Sequence, residues 1–184
     1  MTTTISETEA APIAYPDPPA GLSTAAAALD PDAIWARIEA YITTRWTARD
    51  VVWVVEGAGL WAPPLTPATV ATVEVWADGA WSAVTPEASP VGGYDFADDS
   101  WYRVTASVGG GTVPAAVLEA FRRLAEYSAA IGDFGMMQGK AGSNSFTGKV
   151  GEIEASGTRA PMWAARALQQ SGAADLLRRY RRAQ

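Results

Sequence analysis

Apolar residues recur along this chain with two different periods, and the places where the period changes divide it. From Pro31 the spacing is helical: Ile34, Ile38, Tyr41 and Ile42 share one stripe, joined by Trp35 and Trp46. Asp30 offers a capping side chain and Pro31 suits the first helical position, which predicts a helix from about Pro31 to Trp46. The period then shortens. Val51 to Gly57 (VVWVVEG) is a β-branched run suited to a buried strand. TVATVEVWADGAWSAVTP reads as two strands joined at Asp78-Gly79, the pair that a type I′ hairpin turn favours. Such a turn sets Trp76 opposite Trp81 on one face and puts Val73, Val75 and Val84 on the other. Two more strands are predicted at Tyr94 to Phe96 and Trp101 to Val108, separated by an acidic turn.

Helical spacing returns after Pro114, with Val117, Leu118, Phe121, Leu124, Ala125, Tyr127 and Ile131 on a broad apolar face that ends at Gly132. Residues 133–160 are rich in Gly and Ser and predict a long loop. A last helix is expected from Pro161, with Trp163, Leu168, Leu176 and Leu177 as its apolar members and Gly172 as its weak point. Residues 1–30, rich in Thr, Ala and Pro, lack a sustained period and read as an N-terminal arm, either a tail or a segment docked on a neighbouring subunit. The expected organisation is an arm over 1–30, a helix/sheet/helix core over 31–132, a loop over 133–160 and a C-terminal docking helix over 161–184. The expected fold class is α+β, a mainly helical core with a small antiparallel sheet inserted between the first and second long helices.

Composition narrows the chemistry. The chain has 184 residues, enough for one domain with appendages, and contains neither cysteine nor histidine. That removes disulfides, thiolate nucleophiles, the usual zinc sites and every His-dependent triad. Two glycine-lysine pairs fail as phosphate-binding loops. In GDFGMMQGKA, Phe134 stands where the first glycine belongs and Ala141 replaces the hydroxyl; in GSNSFTGKV the glycines are one position too far apart and Val150 lacks the hydroxyl. Asp98-Asp99 and Glu152/Glu154 are read as solvated carboxylates rather than an acid/base pair. No enzymatic activity, cofactor or metal is expected. The start of the chain shows no basic n-region or apolar h-region, and no run reaches the length of a membrane span.

Charged residues are only 18% of the chain, below the roughly 25% usual for soluble domains, which suggests a surface partly covered by other proteins. The charge is also segregated. Residues 1–155 hold 8 basic and 19 acidic side chains, a net −11, while residues 156–184 hold 6 and 1, a net +5. Arg178, Arg179, Arg181 and Arg182 surround Tyr180, more cations than a helix dipole needs, and point to an acidic partner. An acidic body would repel nucleic acid, which favours a protein groove. Trp53, Trp61, Trp76, Trp81 and Trp101 lie in or beside the strands and read as core and subunit contacts, with sugar stacking as the alternative.

The order of these motifs resembles that of the head-to-tail connector (adaptor) proteins of long-tailed phages and phage-derived gene transfer agents. The resemblance runs from about Leu29 to Arg182, through IEAYITTRW, LWAPPLTPATVATVEVW, GGYDF, WYRVTASVG, VPAAVLEAFRRLAEYSAAI and ADLLRRYRR. Members often end with a leucine pair, a proline, then tyrosine-arginine; here Leu176 and Leu177 are followed directly by Arg178, Arg179, Tyr180 and Arg181. The resemblance implies a non-enzymatic subunit in the neck of a virion or phage-like particle, assembled in the bacterial cytoplasm. Twelve copies would form a ring on the portal protein, meet the next connector, stopper or tail protein, and extend a channel through which DNA passes without specific binding; no membrane is involved. It also implies portal docking by the C-terminal helix, with Arg178, Arg179, Arg181 and Arg182 as ion-pair donors and Trp163, Leu176, Leu177 and Tyr180 as apolar anchors. The alternative function is a tryptophan-rich carbohydrate-binding module of a tail or surface apparatus.

Overall fold

A computed structural model describes residues 1–90, 92–130, 143–149, 154–159 and 164–181, the segments 143–149 and 154–159 by their backbone pairing alone. In chain order the elements are β1 (Thr3–Glu9), α1 (Thr24–Ala27), α2 (Pro31–Glu39), β2 (Arg49–Glu56), β3 (Gly59–Trp61), β4 (Ala68–Ala77), β5 (Ala80–Val84), β6 (Glu87–Ala88), β7 (Tyr94–Phe96), β8 (Trp101–Val108), α3 (Ala115–Ala129), β9 (Ser143–Lys149), β10 (Glu154–Arg159), α4 (Ala167–Gln170) and α5 (Ala173–Leu177), followed by a 3₁₀ turn at Arg178–Tyr180. They form two compact units: Met1–Pro16 with Thr43–Thr112, and Asp17–Ile42 with Val113–Gln184.

The first unit is a sheet structure. Five antiparallel strands run in the order β1-β2-β8-β4-β5, and a second sheet has the order β3-β7-β6. The β4–β5 turn carries positive φ at both Asp78 (52°) and Gly79 (79°), and its register pairs Trp76 with Trp81 and Val73 with Val84, as the Asp-Gly signal predicts. Strand alternation sends Val51, Trp53, Val55, Val73, Tyr102, Val104, Ala106 and Val108 to one face, where they are buried. Trp61 and Phe96 of the smaller sheet join this core: Trp61 meets Trp53 edge-on at 5.6 Å, and Phe96 stacks on Tyr102 at 4.1 Å.

β1 overturns the reading of residues 1–30 as one arm. Thr3–Glu9 is an edge strand whose polar side chains complete this core. A bulge between Thr4 and Ser6 leaves Ile5 about half exposed and keeps Thr4, Glu7 and Glu9 opposite Val55, Trp53 and Val51. Glu7 accepts the indole N–H of Trp53 at 2.7 Å, and Thr4 accepts that of Trp61 at 3.0 Å. Glu9 binds the buried Arg45 through two hydrogen bonds, 2.6 and 3.0 Å, and also Arg49 at 3.2 Å.

The second unit is helical. Asp30 caps α2 by accepting from the Asp32 amide at 3.0 Å, and Pro31 opens the helix. On α3, Val117, Ala120, Phe121, Leu124 and Ala125 form the buried stripe, and Phe121 meets Trp35 of α2 at 5.0 Å. Glu126 holds the start of α1 by accepting from both the amide and the hydroxyl of Ser23, each at 2.7 Å.

The mainly helical core is therefore a mistaken expectation. The chain is 27% helix and 33% strand, a mixed α/β protein rich in antiparallel sheet. Two physical causes account for it. β1 adds a strand where no apolar alternation announces one, because its partners are indole N–H groups and guanidinium groups rather than apolar side chains. α2 also stops at Glu39, short of the predicted Trp46: Thr44 bridges Thr66, the Thr66 amide donates to Thr43, and the Arg45 amide donates to Thr66. Within 133–160, read as a loop, β9 and β10 pair antiparallel. The readings that involved Ile131, Phe134, Ala141, Val150, Glu152, Pro161, Trp163 and Arg182 lie outside the described residues.

Candidate interaction surface

Two surfaces carry the residues singled out above, one on each unit. On the sheet unit, the alternation that buries Trp53 and Tyr102 turns Trp76, Trp81 and Trp101 to the opposite face. Trp76 pairs with Trp81 across β4–β5, and one step beyond the Val75–Tyr102 pair it lies beside Trp101 of β8. The result is a row of three indoles across three strands, lining a shallow concavity of about 350 Å³. Trp76 is 44% and Trp101 42% exposed, large for tryptophan on a sheet face.

The neighbouring row fixes Trp81. Arg103 lies with its guanidinium 4.8 Å from the Trp81 ring centre and forms a fork of 2.7 and 2.8 Å bonds with Glu74. The Arg103 hydrogen bonds hold the Glu74 carboxyl below its ordinary range, and those of Glu74 raise Arg103 further. This pair is thus neutralised internally. The exposed charges nearest the indole row are acidic: Glu56 faces Trp101 across β2–β8, Asp78 sits in the adjoining hairpin turn, and Asp99 precedes Ser100, whose hydroxyl donates to the Trp76 carbonyl at 3.3 Å. The unit as a whole has 10 acidic and 3 basic residues, a net −7, and all three arginines are engaged with Glu9 or Glu74.

On the helical unit, the predicted docking residues separate into inward and outward sets. The C-terminal helix is broken at Gly172, the weak point in the sequence: α4 ends before it, its φ of 74° suits glycine, and α5 is only five residues long. Leu177 is fully buried and Leu176 half-buried, so Leu177 serves its own unit's core rather than standing free as a partner anchor. Removing everything after Ala174 would strip that core as well as the arginines. Tyr180 is half-buried, with the Arg179 guanidinium 4.9 Å from its ring. Arg178 is exposed and bridges Asp175 at 3.1 Å; Arg181 is exposed, lies 4.6 Å from the Tyr41 ring and donates to its hydroxyl at 3.3 Å. Arg178, Arg179 and Arg181 thus stand on the surface over aromatic or short acidic supports.

The sequence grouped five strand tryptophans together; the structure splits them into a core pair, Trp53 and Trp61, and a row on the opposite face in which Trp76 and Trp101 are exposed and Trp81 is half-buried. The signal that separates them is strand parity, readable only once the pairing of β4 with β8 is known. Asp98 and Asp99 are exposed turn residues. Among the described residues, no group of three His, Cys, Asp or Glu side chains could hold a metal ion, and no helix is long and apolar enough to cross a membrane. The chain matches no protein-family model, no curated protein and no solved structure.

Proposed function

We propose that this chain is a structural subunit of the head-to-tail connector type, a non-enzymatic ring component seated on the portal of a phage or phage-like particle and joining it to the next connector or tail protein. The observation that carries this reading is the separation of two exposed docking surfaces, an acidic row of tryptophans on one unit and an arginine cluster on the other. A subunit that must meet neighbours on more than one side needs such a division. The ordered motifs shared with connector proteins add to it, as does a low-charge composition. The sugar-module reading draws less support, because the Trp76 and Trp81 rings meet at 64° and Trp81 is already engaged by Arg103, whereas consecutive sugar rings stack on coplanar platforms.

Cosedimentation of the full chain with assembled portal rings from the same particle tests the reading. Binding at low salt that weakens at high salt is expected. If the chain stays in the supernatant at every salt concentration, the connector assignment fails; a change in tryptophan fluorescence with glycans would then favour the sugar module.

A further inference from the structure

The structure holds both halves of a complementary contact, and we infer that the tryptophan row of one copy receives the arginine segment 178–181 of the next copy in the ring. This rests on the connector reading for its ring geometry, but its chemistry comes from the two surfaces themselves. The row offers two indoles more than two-fifths exposed, a concavity between them, and the neighbouring exposed carboxylates Glu56, Asp78 and Asp99. The Arg103 guanidinium beside it is neutralised by Glu74. Such a surface favours cations that can lie flat on an indole face while their N–H groups reach a carboxylate, which describes arginine better than lysine.

The segment supplies that group three times over. Arg179 and Arg181 are exposed and lie against the Tyr180 and Tyr41 rings; Arg178 pairs with Asp175, a highly exposed pair that contributes little and is readily exchanged. Units of net −7 and net +1 within one chain favour contact between unlike surfaces of successive copies. A contact between different patches on the two partners is head-to-tail, and it closes into a ring when the rotation allows.

The absence of cysteine makes the test clean. Ala83→Cys, two residues from Trp81 on the same face, places a thiol beside the row and Asp175→Cys one beside the segment; both sites are exposed. With a short thiol crosslinker, a chain carrying both cysteines should give a ladder of dimers, trimers and larger species, while a mixture of the two single-cysteine chains should stop at dimers. The reaction is run both on the concentrated protein and on portal-bound protein, so that a weak contact is still sampled. Trp76→Ala/Trp101→Ala and Arg179→Glu/Arg181→Glu, each checked for native circular dichroism, should cut crosslinking about tenfold or more. No ladder in either sample, a crosslink confined within single chains, or a ladder indifferent to both double substitutions overturns the inference. A ladder formed by protein that does not bind portal rings would uphold this contact and sink the connector assignment; portal binding without a ladder would do the reverse.

Discussion

The two units solve the problem of burying their interiors in opposite ways. The sheet unit closes its core with polar groups: Glu7, Glu9 and Thr4 on one edge strand satisfy two indole N–H groups and two buried guanidinium groups. The helical unit closes its core with apolar groups at helical spacing, and its ionic contacts along α3, Glu119 with Arg122 and Arg123, remain near solvent. The first solution is sensitive to loss of a single partner, since a buried charge left alone must be desolvated without compensation. The second degrades in proportion to the volume removed. The same contrast governs what each unit shows to the outside. The sheet unit spends its arginines internally and is left acidic, whereas the helical unit leaves arginines on its surface.

The largest test of this contrast is Glu9→Ala. It takes the shared carboxylate from Arg45 and Arg49 and should destabilise the sheet unit by about 4 kcal/mol, seen as faster amide exchange across β1, β2 and β8. If exchange in those strands is unchanged, the polar closure is not what holds the unit. Leu124→Ala is the apolar counterpart and should cost about 3 kcal/mol, read as a lower denaturant midpoint for the helical signal, with β2 and β8 protected as before. Equal loss of protection in both units would mean that they do not respond separately. Gly172→Ala should cost about 1 kcal/mol, because it forces a side chain into left-handed backbone and brings its Cβ within 3.2 Å of Arg123 Nη1. A neutral result would show that α4 and α5 can rejoin as one helix.

The smallest effect is expected from pH. Hydrogen bonds from Arg122, then Arg123, lower the Glu119 carboxyl from 4.5 to about 2, and the Ser23 amide and hydroxyl lower that of Glu126. Because both are depressed in the folded state, their stabilisation is complete above the ordinary value of 4.5 and is lost as pH falls toward the folded values. Acid titration should therefore loosen α1 from α3, followed by exchange of the Ser23 to Ala27 amides, and Ser23→Ala should flatten that dependence. A profile of Ser23→Ala identical to the parent's would remove Glu126 as the anchor.

Local signals carried much of the fold. Asp30-Pro31 fixed the start of α2, Asp78-Gly79 fixed the β4–β5 register, and the spacing of Val117, Phe121 and Leu124 fixed the buried face of α3, because each depends on neighbours within a few residues. β1 was invisible because TTISETE has neither apolar alternation nor a turn signal; its justification lies about 40 to 60 residues away, in Arg45, Trp53 and Trp61. The end of α2 was misjudged for a similar reason, since Thr44 leaves the helix to meet Thr66.

The sequence by itself determined the absence of thiol and imidazole chemistry, the segregation of charge and the short-range elements, all of which are set by composition or by contacts along the chain. Only the tertiary structure decided which tryptophans are core and which form the exposed row, and which of the C-terminal residues face inward. Those outcomes depend on strand order and on packing between elements distant in sequence. Pairing β4 with β8 assigns Trp76 and Trp101 to one face and Tyr102 to the other, and packing α5 against α3 withdraws Leu177 from the surface while leaving its arginine neighbours exposed.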